Sequence, residues 1–154
     1  MDSSHFSHPF STPLSCRYDL AGTPSMLAFE RRLVFCADEL RWMARQLVPD
    51  EATLAARAGP EAGGVNPLYS SLDGLPPALF TVGTDDALLD DTLFMAARWA
   101  ARGLEAELEV YPGAAHGVGH FGPHEATEQG DEINARVHRF LDEHVERAAS
   151  SRSS

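Results

Sequence analysis

The sequence has few cysteines, no surplus of basic charge, no long apolar run and no internal repeat. Cys16 and Cys36 are the only two cysteines. They are too few and too loosely spaced for a disulfide framework or a zinc site, so free thiols in a reducing, cytoplasmic compartment are expected. Twelve Lys and Arg stand against 23 Asp and Glu, a net charge of −11. Such a chain repels phosphates, which argues against nucleic acid or an anionic membrane as partner; the acidity reads as an aid to solubility. No apolar stretch reaches the about 18 residues that would span a bilayer. The opening "MDSSHFSHPF" has neither the basic flank nor the apolar core of a secretory signal.

What is present is a globular composition, 44% hydrophobic and 23% charged. Residues 1–24, rich in Ser, Pro and His, read as an irregular N-terminal segment with at most a short strand in "STPLSC". From Ser25, a candidate N-cap, the pattern turns helical: Met26, Leu27, Phe29, Leu33 and Val34 recur at helical spacing. "ADELRWMARQLV" puts Leu40, Met43 and Leu47 on one stripe, and Pro49 stops it. Residues 25–58 are therefore expected to form a helical, lid-like layer. Trp42 and Trp99 read as packing residues.

Residues 59–147 change character. "GPEAGGVNP" is a loop. "PPALFTVGT" is short, almost wholly apolar and ends near Gly, which suits a strand buried on both faces of a parallel sheet. "DDTLFMAARWAARG" places Leu93, Met95, Ala96 and Trp99 at helical spacing, with Gly103 as C-cap. "EAELEVYPG" alternates, with Ala106, Leu108 and Val110 on one side. "EINARVHRFLDEHVERA" carries Ile133, Val137, Phe140, Leu141 and Val145 on one helical face, and residues 148–154 read as a frayed, disordered tail. Strand, helix, strand, helix predicts an α/β fold with a parallel sheet, whose ligand chemistry gathers at the carboxyl ends of the strands. "GTDDALLDD" and "GAAHG" both lie there.

Asp85 and Asp86 follow the first of these strands and His116 the second. A carboxylate beside His116 would fix the ring tautomer and stabilise the imidazolium formed on proton uptake. On spacing alone the acidic cluster also suits helix capping, with Asp90 and Asp91 at a helix start. Gly113, Ala114, Ala115 and Gly117 favour a site, because small residues let backbone approach a ligand closely. His116, His120 and His124 recur every four residues, but Gly117, Gly119, Gly122 and Pro123 argue against the helix that would align them. Neither a metal nor a cofactor is expected.

The stretch "NPLYSSLDGLPPALFTVGTDDALLDDTLFMAARWAARGLEAELEVYPGAAHG" resembles the C-terminal part of α/β-hydrolases of the hormone-sensitive-lipase-like group, the bacterial esterases and acetyl hydrolases of α/β-hydrolase fold-3. That family has an "SPL" loop, then "LPPALFTVG", "DPLLDD" and "VYPG..HGF". The earlier "YDLAGTPSM" and "RWMARQLVPD" look like the segment between nucleophile and acid. The resemblance implies the C-terminal half of a three-layer sandwich with a helical cap segment. It makes Asp86 the catalytic acid and His116 the catalytic base, with Asp85 at a variable position. Ala87 stands where the family has proline, and Val118 where it has an aromatic residue.

The nucleophile is the main departure. Triad order in this fold is Ser, acid, His, with the Ser on a G-x-S-x-G elbow upstream. No such motif occurs; "AGTPSM" is the nearest string and lacks the second Gly. The "HGGG" oxyanion loop is absent too. The resemblance thus implies carboxylic-ester hydrolysis on a small-molecule ester, carried here by a chain with the acid and base but without the serine, and inactive alone. The alternatives are a non-catalytic interaction module, or one half of a split or truncated esterase that needs an N-terminal partner. A homo-oligomer is a further expectation.

Overall fold

The computed structural model describes residues 10–11, 23–28, 37–47, 67–118 and 127–151. Three parallel strands, β1 (Phe10–Ser11), β2 (Ala78–Asp85) and β3 (Ala106–Ala115), lie in the order β1-β2-β3. Ala78, Leu79, Phe80 and Val82 of β2 are all buried, so both faces of this strand are covered.

Four helices are described: α1 (Pro24–Ala28), α2 (Ala37–Leu47), α3 (Leu89–Ala101) and α4 (Glu128–Ser151). A 3-10 turn spans Pro67–Tyr69. Helix α3 stops where the sequence signals it. Gly103 adopts φ +72°, Gly103 N–H donates to Ala100 O at 2.9 Å and Leu104 N–H to Trp99 O at 3.2 Å. That pair of bonds is a Schellman stop, and Leu104 and Trp99 pack on the same core beside it.

Strand alternation separates two layers. Ala78 and Phe80 point to α3, where they cluster with Leu72, Met95 and Ala96. Trp99 meets Phe80 edge to face, with ring centroids 5.5 Å apart, and donates its indole N–H to Pro76 O at 3.2 Å. Tyr111 and Ala114 of β3 cluster with Ile133 of α4 on the other side. The sheet therefore sits between α3 and α4. Phe140, in the middle of α4, is wholly buried.

The charged side of β3 is paired with α4. Arg136 of α4 pairs with both Glu107 and Glu109, and Arg147 pairs with Glu105 at 3.0 Å. Burial works against the Arg136 charge, but the hydrogen bond to Glu109 and the surrounding carboxylates outweigh it and raise its pKa above the ordinary value. On the opposite face, Leu108 and Val110 remain 44% and 42% exposed.

Three expectations need correction. The tail expected from residue 148 is helical as far as Ser151. Alanine favours helix there, and the Ser150 and Ser151 hydroxyls bond back to Glu146 O and Ala148 O. Trp42 does not pack: it is 61% exposed, because it lies off the stripe that carries Leu40 and Met43. Ser25 is not the N-cap of its own helix. Pro24 takes the first helical position, which suits its missing N–H, and Ser25 is the second residue. Within 25–58 the described residues are the two helices α1 and α2; the rest of that span, Cys16 and Cys36 lie outside the described residues.

Candidate active site

The acid loop begins where β2 ends. Asp86 is buried, and its carboxylate divides its work. Oδ1 accepts the Leu88 N–H at 2.8 Å, an Asx turn that fixes the side chain. The Asp86 backbone carbonyl accepts the Leu89 N–H at 3.1 Å, closing the turn that leads into α3.

His116 reaches this loop through a distortion of β3. Gly83 pairs with Tyr111, but Asp85 already pairs with Ala115. Residues 112–114 of β3 therefore face a single residue of β2, a bulge that bends the strand. Gly113 turns the chain at φ +73°, and its N–H donates to Thr84 Oγ1 at 2.7 Å. The bulge folds over Gly83, where a Cβ would stand 1.9 Å from Ala114 O. Here the small Ala114 of the "PGAAHG" loop lets strand pass closely over strand. Ala114 is buried, and Gly117 adopts φ +72° in the turn holding His116. Val118 packs against the Tyr111, Ala114 and Ile133 cluster.

The result is a contact of 3.0 Å between His116 Nδ1 and Asp86 Oδ2. The His116 side chain is 17% exposed and that of Asp86 8%. Asp86, not Asp85, meets the histidine. With Nδ1 bearing the proton and donating to the carboxylate, Nε2 carries the lone pair that can take a proton. The shielded setting strengthens such a charge-assisted bond.

Two other residues of the acidic cluster serve a segment far away in sequence. Asp90 Oδ2 accepts the Ser25 N–H at 2.7 Å, and Thr23 Oγ1 donates to Asp91 Oδ2 at 3.4 Å. The Ser25 hydroxyl accepts the Asp90 N–H at 3.1 Å and donates to Ala87 O at 3.1 Å. No local signal in the sequence marks Ser25 for this, because its partners lie more than 60 residues on.

Among the described residues no group of three or more His, Cys, Asp or Glu side chains is arranged to hold a metal ion. His120 and His124 lie outside the described residues. No helix among the described residues is long and apolar enough to cross a membrane.

Comparison with known proteins gives this geometry a family. A family model described as alpha/beta hydrolase fold matches residues 5–120. No curated protein matches. Solved structures do. An esterase of the archaeon Pyrobaculum calidifontis superposes with a TM-score of 0.71 at 23% identity, over 85% of this chain and 41% of its own. EstE5, soaked with p-nitrophenyl butyrate, gives 0.64 at 27% identity, over 82% of this chain and 40% of its own. An esterase of the bacterial hormone-sensitive lipase family gives 0.58 at 32% identity, over 70% of this chain and 33% of its own. The chain thus spans less than half the length of these solved relatives. A match across residues 5–120 means that the chain belongs to the alpha/beta hydrolase fold family.

Proposed function

We propose that this chain supplies the acid and the base of a carboxylic-ester hydrolase, and that the serine nucleophile and oxyanion loop come from polypeptide outside these 154 residues. The observation that carries the reading is the His116 Nδ1 to Asp86 Oδ2 contact of 3.0 Å. In the reaction, His116 Nε2 takes the proton of the serine hydroxyl as its oxygen attacks the ester carbonyl. Asp86, held by the Leu88 N–H, stabilises the imidazolium that results. His116 then returns the proton to the departing alcohol. Water enters by the same base and releases the acid from the serine. The substrate is a small-molecule ester, and two sparse, loosely spaced cysteines suit a reducing compartment such as the cytoplasm.

Complementation tests this reading. The chain is mixed with a polypeptide carrying the G-x-S-x-G elbow and H-G-G-G loop of the same family. Hydrolysis of p-nitrophenyl butyrate is expected on mixing, and its loss with Asp86→Ala or His116→Ala. Activity on mixing that survives both substitutions would defeat the assignment.

One observation favours a second reading, an interaction module or homo-oligomer. Leu108 and Val110 are exposed on β3, which ends the sheet among the described residues. Light scattering of the purified chain, with and without Leu108→Lys, distinguishes a self-associating edge from a monomer.

A further inference from the structure

We propose that Ser25 is a positioning residue for Asp86, acting from a segment remote in sequence; this rests on the reading of Asp86 and His116 as an acid–base pair. Two helices exchange caps here. The first N–H groups of any helix lack partners within it. Helix α3 has Leu88 at its N-cap position, with no side-chain cap bond. The Asp90 N–H in its first turn is taken instead by Ser25 Oγ of α1 at 3.1 Å. In return, the Ser25 N–H in the first turn of α1 is taken by Asp90 Oδ2 at 2.7 Å.

The same Ser25 hydroxyl has one proton, and it donates that proton to Ala87 O at 3.1 Å. Ala87 is the residue after Asp86 and is buried, with 3% of its surface exposed. Ser25 therefore holds both ends of the 87–90 turn, one by donating and one by accepting. Inside that turn lie the Leu88 N–H that binds Asp86 Oδ1 and the Leu89 N–H that binds Asp86 O. Fixing the Ala87 carbonyl fixes the plane of the peptide that joins Ala87 to Leu88, and so the direction of the Leu88 N–H. That N–H sets the rotation of the carboxylate and hence where Oδ2 meets His116.

Residue 87 gives the device its purpose. Alanine does not lock φ as a proline would, so this turn lacks one intrinsic restraint. The Ser25 bond replaces a covalent restraint with a tertiary one. Ser25 touches neither the histidine nor any reacting atom; it acts only through the turn.

The test uses the full 154-residue chain labelled with nitrogen-15. The parent is expected to show His116 as the Nδ1–H tautomer, with a downfield ring proton that exchanges slowly with water. Asp86→Asn defines the signature of a broken pair. Ser25→Ala is expected to speed exchange of that proton roughly tenfold, the loss of about 1.4 kcal/mol and of the order of one hydrogen bond. Ser25→Thr, which keeps the hydroxyl, is expected to restore slow exchange. Trp99→Phe removes the bond to Pro76 O on another part of α3 and controls for general loss of stability. It is expected to lower the melting temperature without moving the His116 signal.

A folded Ser25→Ala variant with parental exchange, alongside an altered Asp86→Asn, would overturn the proposal while leaving the pair intact. If Ser25→Ala does not fold, Ser25→Cys decides. It keeps a side chain of similar shape but replaces the hydroxyl that binds Ala87 O and the Asp90 N–H with a weak donor and acceptor, so faster exchange supports the proposal and unchanged exchange overturns it. A His116 signal indifferent to Asp86→Asn would instead show that the pair itself is not formed.

Discussion

Gly83→Ala tests how the fold delivers His116 to Asp86. The added Cβ would stand 1.9 Å from Ala114 O, 2.4 Å from Ala114 C and 2.8 Å from Ala114 Cβ. The nearest of these is roughly 1.5 Å short of ordinary contact, which begins near 3.5 Å. The obstacle is backbone, so no side chain can swing away. Either the bulge lifts off β2 or the strands part. Overpacking costs about 1–3 kcal/mol, and a lost ladder hydrogen bond adds about 1 kcal/mol. A total near 3 kcal/mol lowers the melting temperature by roughly 6–12 °C for a chain of this size. Thermal unfolding followed by circular dichroism measures it. Gly74→Ala is the control: it has φ +74° but nothing within 4 Å, so only the backbone cost of about 1–2 kcal/mol applies. A Gly83→Ala melting temperature within about 2 °C of the parent, or no lower than that of Gly74→Ala, would refute the reasoning.

Other outcomes follow from the packing and charge of α4. Phe140→Ala empties a fully buried site and is expected to cost about 3–5 kcal/mol by urea unfolding. Arg136→Met leaves Glu107 and Glu109 facing a helix without their cation, so a loss of about 0.5–2 kcal/mol is expected, smaller in 1 M salt. Tyr111 carries a pKa raised above its ordinary value by burial first, then by Glu109 and Glu132. The folded state then holds its proton more tightly than the unfolded chain. That stability is complete below about pH 10 and is lost as pH rises through the folded pKa. Denaturant midpoints between pH 9 and 11.5 should fall more steeply for the parent than for Tyr111→Phe; parallel curves would contradict this.

The elements were legible where the local pattern and the tertiary role agree. The apolar run ending in Val82 reads as a strand buried on both faces, and Gly103 reads as a stop because a Schellman turn needs its positive φ. The loop of Asp85 and Asp86 was legible as a neighbour of His116 because parallel strands deliver consecutive loops to one edge, but spacing alone left helix capping open and only the family resemblance singled out Asp86. The bulge was not. "PGAAHG" shows small residues, but nothing local says that Gly83, 30 residues earlier, must lack a Cβ for Ala114 to pass. Capping was legible in kind and wrong in address: Ser25 and Asp90 both cap, each on the other's helix. The strand β3 misleads in another way. Its apolar residues Leu108 and Val110 are half open, while Glu107 and Glu109, similarly exposed, are paired with Arg136, because a helix bearing opposite charge can pack on a charged face.

If His116 is a base whose nucleophile lies outside these 154 residues, as proposed, the purified chain and its His116→Ala variant hydrolyse p-nitrophenyl butyrate at equal, background rates, and mass spectrometry after organophosphate treatment finds no covalent adduct. Turnover that depends on His116, or a stable adduct on a serine of this chain, would contradict the proposal.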